Sequence, residues 1–238
     1  DDESYNGWFR TMTENGYRVI SIDYRLGLKG SNKVGIAQVN VLDKAIHMAV
    51  EDLFSATNFI LENAEQFEVS PDNIVISGSS AGAISVMQAE YEIANSTSWA
   101  SVLPEGFNYA GVMSFSGAIL SREGKVDYKK VPCATLMLHG TSDELVPYNQ
   151  IKVFNLGFFG GGKLVERFKK FGLNYNMYHF TGYGHEIAGS MGTTFDLQDK
   201  FLKTNVMQKK MRIVEAWIDD PNVYKGSGPQ SRKELYGN

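Results

Sequence analysis

The ten residues NIVISGSSAG, at positions 73–82, decide the fold. Residues 73–77 form a short apolar run rich in β-branched side chains and predict a buried strand, whereas the small residues over 81–94 predict a helix. Between them, Gly78-x-Ser80-x-Gly82 fits a sharp turn in which the central serine takes a strained backbone conformation, so that no bulky side chain can stand two positions before or after it. Such a turn lifts the Ser80 hydroxyl clear of the sheet.

The rest of the chain repeats this alternation of strand and helix. Further strands are predicted over 17–24, 109–115, 134–139 and 175–180, and further helices over 39–64, 162–171 and 197–218. The helix over 39–64 is indicated by apolar residues that recur at spacings of three, four or seven. Because strands that alternate with helices pair in parallel, we predict an α/β fold with a mostly parallel central sheet and helices on both faces.

Three polar residues follow three different predicted strands. Ser80 follows the strand over 73–77, Asp143 follows that over 134–139, and His185 follows that over 175–180. Chemistry gathers at the carboxyl ends of parallel strands, so we expect these side chains to meet. A serine hydroxyl needs a base to take its proton, and the base needs an acid to fix its tautomer. We therefore predict Ser80 as the nucleophile, His185 as the base and Asp143 as the acid. The Ala81 N–H, at the start of the helix, is predicted to stabilise the oxyanion.

Alternatives stay open at two of these positions. Glu144 adjoins Asp143 and is an alternative acid. Among the other histidines, His47 falls within a predicted helix and is interpreted as a surface or packing residue. His139 and His179 fall within predicted strands, which favours buried structural roles for both.

Composition limits the class of protein. The 238 residues carry 23 Lys and Arg against 27 Asp and Glu, a formal charge of −4, which disfavours nucleic-acid binding. The single cysteine, Cys133, excludes an internal disulfide and a thiolate zinc cluster. The sequence contains no run of about 18 apolar residues, so a membrane-spanning helix is not predicted. We expect one catalytic domain over 1–238 with a loose tail over 226–238. The predicted chemistry requires no cofactor and no metal, and a homodimer is left open.

Four segments carry a resemblance to a known family, namely IDYRL (22–26), GSSAG (78–82), HGTSD with VPY (139–143 and 146–148) and GHE (184–186). In this order they resemble α/β-hydrolases of the carboxylesterase type, and they are similar to the bacterial esterases that remove acyl groups from plant polysaccharides, feruloyl and acetyl xylan esterases among them. The resemblance implies an ester substrate, either a small molecule or linked to a polysaccharide, and a periplasmic or secreted location. It also implies a His-Gly-Gly-type loop that completes the oxyanion hole. Nothing over 1–22 matches that loop, so we expect it, with the first strands of the sheet, upstream of residue 1.

Four residues are predicted to bind the substrate: Ser79, Tyr148, Phe158 and Phe159. Core packing is the alternative for most of the aromatic residues. The stretch GFFGGGKL (157–164) is similar to a phosphate-binding loop, but Leu164 occupies the position at which Ser or Thr must bind magnesium. We therefore predict a flexible loop that leads into a helix. Two other functions stay open: a peptidase of the prolyl-oligopeptidase type, and a catalytically silent hydrolase fold that serves as a binding module.

Overall fold

A five-stranded parallel sheet organises the computed structural model, which describes residues 5–28 and 39–220. Its strands lie in the order β1 (Val75–Ser79), β2 (Gly111–Phe115), β4 (Ala134–Gly140), β7 (Tyr175–Phe180) and β8 (Val214–Ile218). The first four match predicted strands to within two residues at either end, and β7 has the predicted bounds. The predicted α/β class with a mostly parallel sheet is therefore confirmed.

The strands end in register at the edge where the candidate site residues follow. Ser79 lies opposite Phe115, Phe115 lies opposite Leu138, and Gly140 lies opposite Phe180. The residues that come directly after β1, β4 and β7 therefore leave the sheet at one edge, although they are far apart along the chain.

Helices cover both faces of the sheet, as predicted. One face carries α2 (Val39–Glu62), α3 (Ala81–Ala94) and α4 (Gly161–Phe171), and the other carries α1 (Asn6–Glu14) and α5 (Phe195–Phe201). Strand β4 contributes to both hydrophobic clusters, since Met137 packs with the first group of helices and Leu136 and Leu138 pack with the second. This division follows from the alternation of side chains along a strand.

A second sheet, which is antiparallel, was not predicted. Its strands β3 (Ala118–Ser121), β5 (Gln150–Val153) and β6 (Leu156–Gly160) pair in the order β3-β6-β5. The segment 157–164 forms most of β6 and the start of α4, so the prediction of a flexible loop is wrong. The turn between β5 and β6 contains Phe154 at φ +53°, a left-handed conformation that a bulky residue rarely adopts. The sequence at this turn has none of the glycine-containing pairs that usually indicate a hairpin, which is why the hairpin was not predicted.

The closing segment differs from the single helix predicted over 197–218. Helical structure runs from Phe195 to Met207, with a wider π-helical turn over its last six residues. Lys209 takes φ +50°, and after it the chain returns as β8, which pairs with β7 residue by residue. Pairing with a buried neighbouring strand decides the conformation here, and local sequence pattern does not.

The prediction of a strand over 17–24 is also wrong, because residues 17–26 have no regular secondary structure. The segment runs past both hydrophobic clusters, with Val19 packed against one and Ile22 against the other. Alternating apolar residues thus have a packing role here, but an extended segment becomes a strand only when a neighbour pairs with it. In the described part of the chain, the sheet has β1 as its outermost strand on one side.

Two other sequence expectations concern the ends of the chain and membranes. The tail expected over 226–238 lies outside the described residues. Among the described helices, none has the length and apolar character needed to cross a membrane.

A buried carboxyl group on α3 makes the stability of the fold depend on pH. Glu90 is 5% exposed, and burial raises the pKa of its carboxyl from 4.5 to about 7, although Oε1 accepts a hydrogen bond from the Cys133 N–H at 2.8 Å. Its other oxygen, Oε2, is buried without a hydrogen-bond partner. The folded state therefore holds this proton more tightly than the unfolded chain does. Its contribution to stability is full below about pH 4.5 and is lost as the pH rises through about 7.

Replacement of Glu90 by glutamine is expected to raise the free energy of unfolding at pH 8 by up to about 3 kcal/mol. The amide stays neutral at every pH and can still accept from Cys133, so the two proteins should have similar stabilities at pH 4.5. Urea unfolding at both pH values measures the difference. Glu92→Gln is the matched control, because the buried Glu92 carboxylate already accepts hydrogen bonds from Gln88 and Thr97, and it should give no gain at pH 8. Equal stabilities of Glu90→Gln and the parent at pH 8 would contradict the prediction.

Candidate active site

Ser80 occupies the turn between β1 and α3 in a strained conformation, with φ 52° and ψ −116°. A positive φ in a residue that carries a Cβ costs of order 1–3 kcal/mol, and the surrounding structure must enforce it. Two hydrogen bonds do so here. The Ser80 N–H donates to the Phe115 carbonyl at 2.9 Å, and the Ser80 carbonyl accepts from the Ile84 N–H at 3.0 Å. Since α3 begins at Ala81, the first N–H groups of this helix have no partner within it.

Gly78 carries the steric requirement of this turn. A Cβ at position 78 would lie 2.3 Å from the carbonyl carbon and oxygen of Gly82. A Cβ at position 82 would meet no atom within 4 Å. The prediction that no bulky side chain can stand at either position is therefore right for Gly78, whereas the surroundings of Gly82 leave room for a Cβ.

The structure brings Ser80, His185 and Asp143 into one hydrogen-bonded chain. Ser80 Oγ lies 2.8 Å from His185 Nε2, and His185 Nδ1 lies 2.8 Å from Asp143 Oδ2. His185 and Asp143 are 8% and 7% exposed, so water screens their interaction weakly. Because the carboxylate can only accept, Nδ1 carries the proton, and Nε2 is left to accept the proton of the Ser80 hydroxyl. This is the arrangement that activates a serine as a nucleophile.

Backbone groups fix the orientation of Asp143. Its Oδ1 accepts hydrogen bonds from the N–H groups of Leu145 and Val146, both at 2.9 Å, which leaves Oδ2 directed at the histidine. Burial alone raises the pKa of Asp143, but the ring N–H groups of His139 and His185, and the positive charge of these rings whenever they are protonated, outweigh burial and hold the pKa well below its usual range. The carboxylate is therefore ionised throughout the neutral range. Glu144, the alternative acid, is exposed.

The turn that bears His185 is held against both neighbouring segments. A Cβ at Gly140 would lie 2.2 Å from the Gly184 carbonyl oxygen, so β4 and this turn approach as closely as glycine permits. The Ser79 hydroxyl donates to the Ala188 carbonyl at 2.7 Å, which ties the serine turn to the short 3-10 helix His185–Gly189. These contacts fix the turn, which holds the His185 ring next to the Ser80 hydroxyl.

The four predicted substrate-binding residues differ in their contacts and burial. Ser79 has the tethering bond just described, and the Tyr148 hydroxyl lies 2.6 Å from Nδ1 of the buried His179. Phe158 and Phe159 are neighbours on β6, so their side chains point to opposite faces of its sheet. Phe159 is 4% exposed and belongs to the core, and Phe158 is partly buried against the same core. A binding role for the four residues stays a prediction, and the burial of Phe159 favours the alternative of core packing for that residue.

The other histidines are packed as expected. His47 stacks on Trp99 with ring centroids 4.0 Å apart, and His139 and His179 are both 1% exposed within their strands. One contact of the candidate site was not predicted: His139 Nε2 lies 3.4 Å from Asp143 Oδ2. The spacing of four residues across the end of β4 was the available signal, but a histidine inside a strand was assigned to the core.

A family comparison supports the resemblance drawn from the sequence. Residues 1–117 match the family model described as BD-FAE, a family of α/β-hydrolase-type esterase domains. The match covers just under half of the chain and includes the serine turn, whereas Asp143 and His185 lie beyond it. No curated protein matches the chain in sequence.

One solved structure shows the same fold at low sequence identity, and two others are less similar. A truncated form of a carbohydrate esterase from gut microbiota aligns with a TM-score of 0.51 and 17% identity, over 81% of this chain and 75% of that one. An Arabidopsis thaliana SOBER1 variant and esterase PE8 each align with a TM-score of 0.43, at 18% and 20% identity. Both alignments cover 68% of this chain and 66% of the other, so the matched region spans just under two thirds of those proteins. The alignment with the carbohydrate esterase and the parallel sheet together show that the chain has the α/β-hydrolase fold.

Proposed function

We propose that this protein is a serine carboxylic-ester hydrolase that works through an acyl-enzyme on Ser80. The observation that carries the proposal is the hydrogen-bonded chain from Ser80 Oγ through both nitrogens of His185 to Asp143, with each step 2.8 Å long. The strained turn at Ser80 adds support, because a left-handed serine between a strand and a helix persists only where its surroundings enforce it, and such strain is common at active sites.

The proposed reaction has two acyl-transfer steps. Ser80 Oγ attacks the ester carbonyl carbon while its proton passes to His185 Nε2, and Asp143 stabilises the imidazolium that forms. The N–H of Ala81 donates to the carbonyl oxygen as negative charge develops on it. His185 then gives the proton to the leaving alkoxide, which departs as the alcohol and leaves the acyl group on Ser80. A water molecule repeats the sequence, releases the carboxylic acid and restores the serine.

We propose short acyl or hydroxycinnamoyl esters of plant polysaccharides, or similar small esters, as the substrate class. Two findings support this choice: the match of residues 1–117 to BD-FAE, and the fold shared with a carbohydrate esterase. The second oxyanion donor stays a prediction.

The test is covalent labelling together with a substrate panel. A tagged fluorophosphonate is expected to label the protein at Ser80, and Ser80→Ala should remove the label because the reagent reacts with an activated serine oxygen. The nitrophenyl esters of acetate, butyrate and ferulate should be hydrolysed, and nitroanilides that end in proline should not. Cleavage of the prolyl amides in place of the esters would favour a peptidase, and a folded protein that resists the label would favour a binding module.

A further inference from the structure

We propose that His139 is a positioning residue that holds Asp143 in place for His185. The proposal rests on the proposed function, since it assigns a second histidine to the acid of the same relay. His139 lies on β4, two positions after Met137, and its side chain extends to the same face of the sheet. The loop from Thr141 to Asn149, which carries Asp143, begins directly after β4.

The hydrogen bonds of His139 assign its tautomer. The Gly161 N–H donates to Nδ1 at 3.3 Å, so Nδ1 must be the unprotonated nitrogen. The proton is then on Nε2, which donates to the Val146 carbonyl at 3.1 Å and lies 3.4 Å from Asp143 Oδ2. The ring therefore presents the positive end of an N–H bond to the oxygen that binds His185.

The same ring acts on Asp143 by a second route. The residue whose carbonyl accepts from Nε2 is Val146, and the N–H of Val146 is one of the two donors that hold Asp143 Oδ1. One imidazole thus anchors the backbone that orients the first carboxylate oxygen and contacts the second oxygen directly. Because both partners are buried, these contacts are made in a low dielectric, where they are strong.

The glycine run Gly160–Gly162 supports this arrangement from the other side. The Gly160 N–H donates to the Asn149 carbonyl at 2.7 Å, and the Gly162 N–H donates to the Tyr148 carbonyl at 2.9 Å. A Cβ at position 160 would lie 1.7 Å from the Pro147 carbonyl oxygen, and a Cβ at 161 would lie 3.1 Å from His139 Nδ1. The run that resembles a phosphate-binding loop therefore lets the start of α4 pack against the Asp143 loop.

Two consequences follow for catalysis. Without the His139 ring, the carboxylate is less firmly held, so kcat should fall while KM changes little. The charged and titratable groups around His139 are Asp143 on its loop, Tyr148 beside it, His179 on β7 and His185 across the carboxylate. Removing the His139 N–H, which lies 3.4 Å from Oδ2, leaves more negative potential at His185, and this stabilises the protonated and inactive form of its ring. The acid limb of the pH profile should therefore move to higher pH.

His139→Phe is the test variant, because phenylalanine keeps the ring and removes both nitrogens. We expect kcat on nitrophenyl acetate to fall about tenfold to a hundredfold. A loss of this size is expected when a hydrogen bond to a charged group is removed. The acid limb should rise by about 0.5–1 pH unit. His139→Gln, whose amide nitrogen can reach the position of Nε2, should recover most of kcat.

His179→Phe is the matched control. His179 lies directly opposite His139 in the β4–β7 register, is equally buried, and has Tyr148 as its hydrogen-bond partner. The His179→Phe variant should lower the free energy of unfolding in urea as His139→Phe does. It should leave kcat and the acid limb of the pH profile little changed. An acid limb that does not rise in His139→Phe, or an equal loss of kcat in His179→Phe, overturns the proposal. Failure of the proposed function would look different, since neither the parent nor any variant would then be labelled at Ser80.

Discussion

Replacement of Ser80 by alanine is expected to lower kcat for ester hydrolysis by about 10⁴- to 10⁶-fold. Alanine removes the atom that would form the acyl-enzyme and leaves His185 and Asp143 with no proton to relay. Residual hydrolysis would depend on water attack next to the Ala81 N–H, which retains only the contributions of binding and oxyanion stabilisation. Steady-state kinetics on nitrophenyl acetate, with mass spectrometry for an acylated intermediate, measures both parts of the prediction.

The fold of Ser80→Ala should remain intact. Both serine and alanine carry a Cβ, so the cost of φ 52° is the same in each, and the backbone bonds of this turn to Phe115 and Ile84 do not involve the side chain. Ser77→Ala is the matched control on the same strand, because the Ser77 hydroxyl is buried without a partner and its removal should affect neither activity nor stability greatly. More than about a hundredth of the parental kcat in Ser80→Ala would contradict the assignment of the nucleophile.

The site residues could be predicted from the sequence because each of them is tied to a local signal. The serine turn is marked by Gly78 and by the apolar strand before it, and Asp143 and His185 each follow a strand whose pattern is unambiguous. Parallel pairing then brings the three residues to one edge of the sheet, because the ends of β1, β4 and β7 lie in register. The contacts of each turn then set the two 2.8 Å distances between the side chains.

Other parts of the fold could not be predicted because non-local contacts decide them. Residues 214–218 become a strand because β7 offers an unpaired edge, and no local pattern marks that choice. The β5–β6 hairpin turns at Phe154, where the residue type argues against the turn. His139 shows the same limit within the site. Its apolar neighbours predict burial correctly, but its contact with Asp143 arises only when the loop after β4 folds back over the strand.

Replacement of Asp143 by asparagine is expected to lower kcat by about 10⁴-fold with little change in the fold. The asparagine side chain has the same shape, so the reason lies in the orientation of its amide. The N–H groups of Leu145 and Val146 both point at the Oδ1 position, and only an oxygen atom at that position can accept their hydrogen bonds. The amide nitrogen must therefore occupy the Oδ2 position and face His185 Nδ1.

An amide nitrogen in that position changes the proton on the base. It donates to Nδ1, which forces the proton of His185 to Nε2, where it faces Ser80 Oγ and cannot take the hydroxyl proton. Kinetics and fluorophosphonate labelling should both show the loss, with the labelling rate reduced in parallel with kcat. Glu144→Gln is the control, because the exposed Glu144 is the alternative acid and should tolerate the change with kcat close to that of the parent. A large loss in Glu144→Gln with near-normal kcat in Asp143→Asn would move the acid role to Glu144, and the 2.8 Å contact between Asp143 and His185 would then be structural.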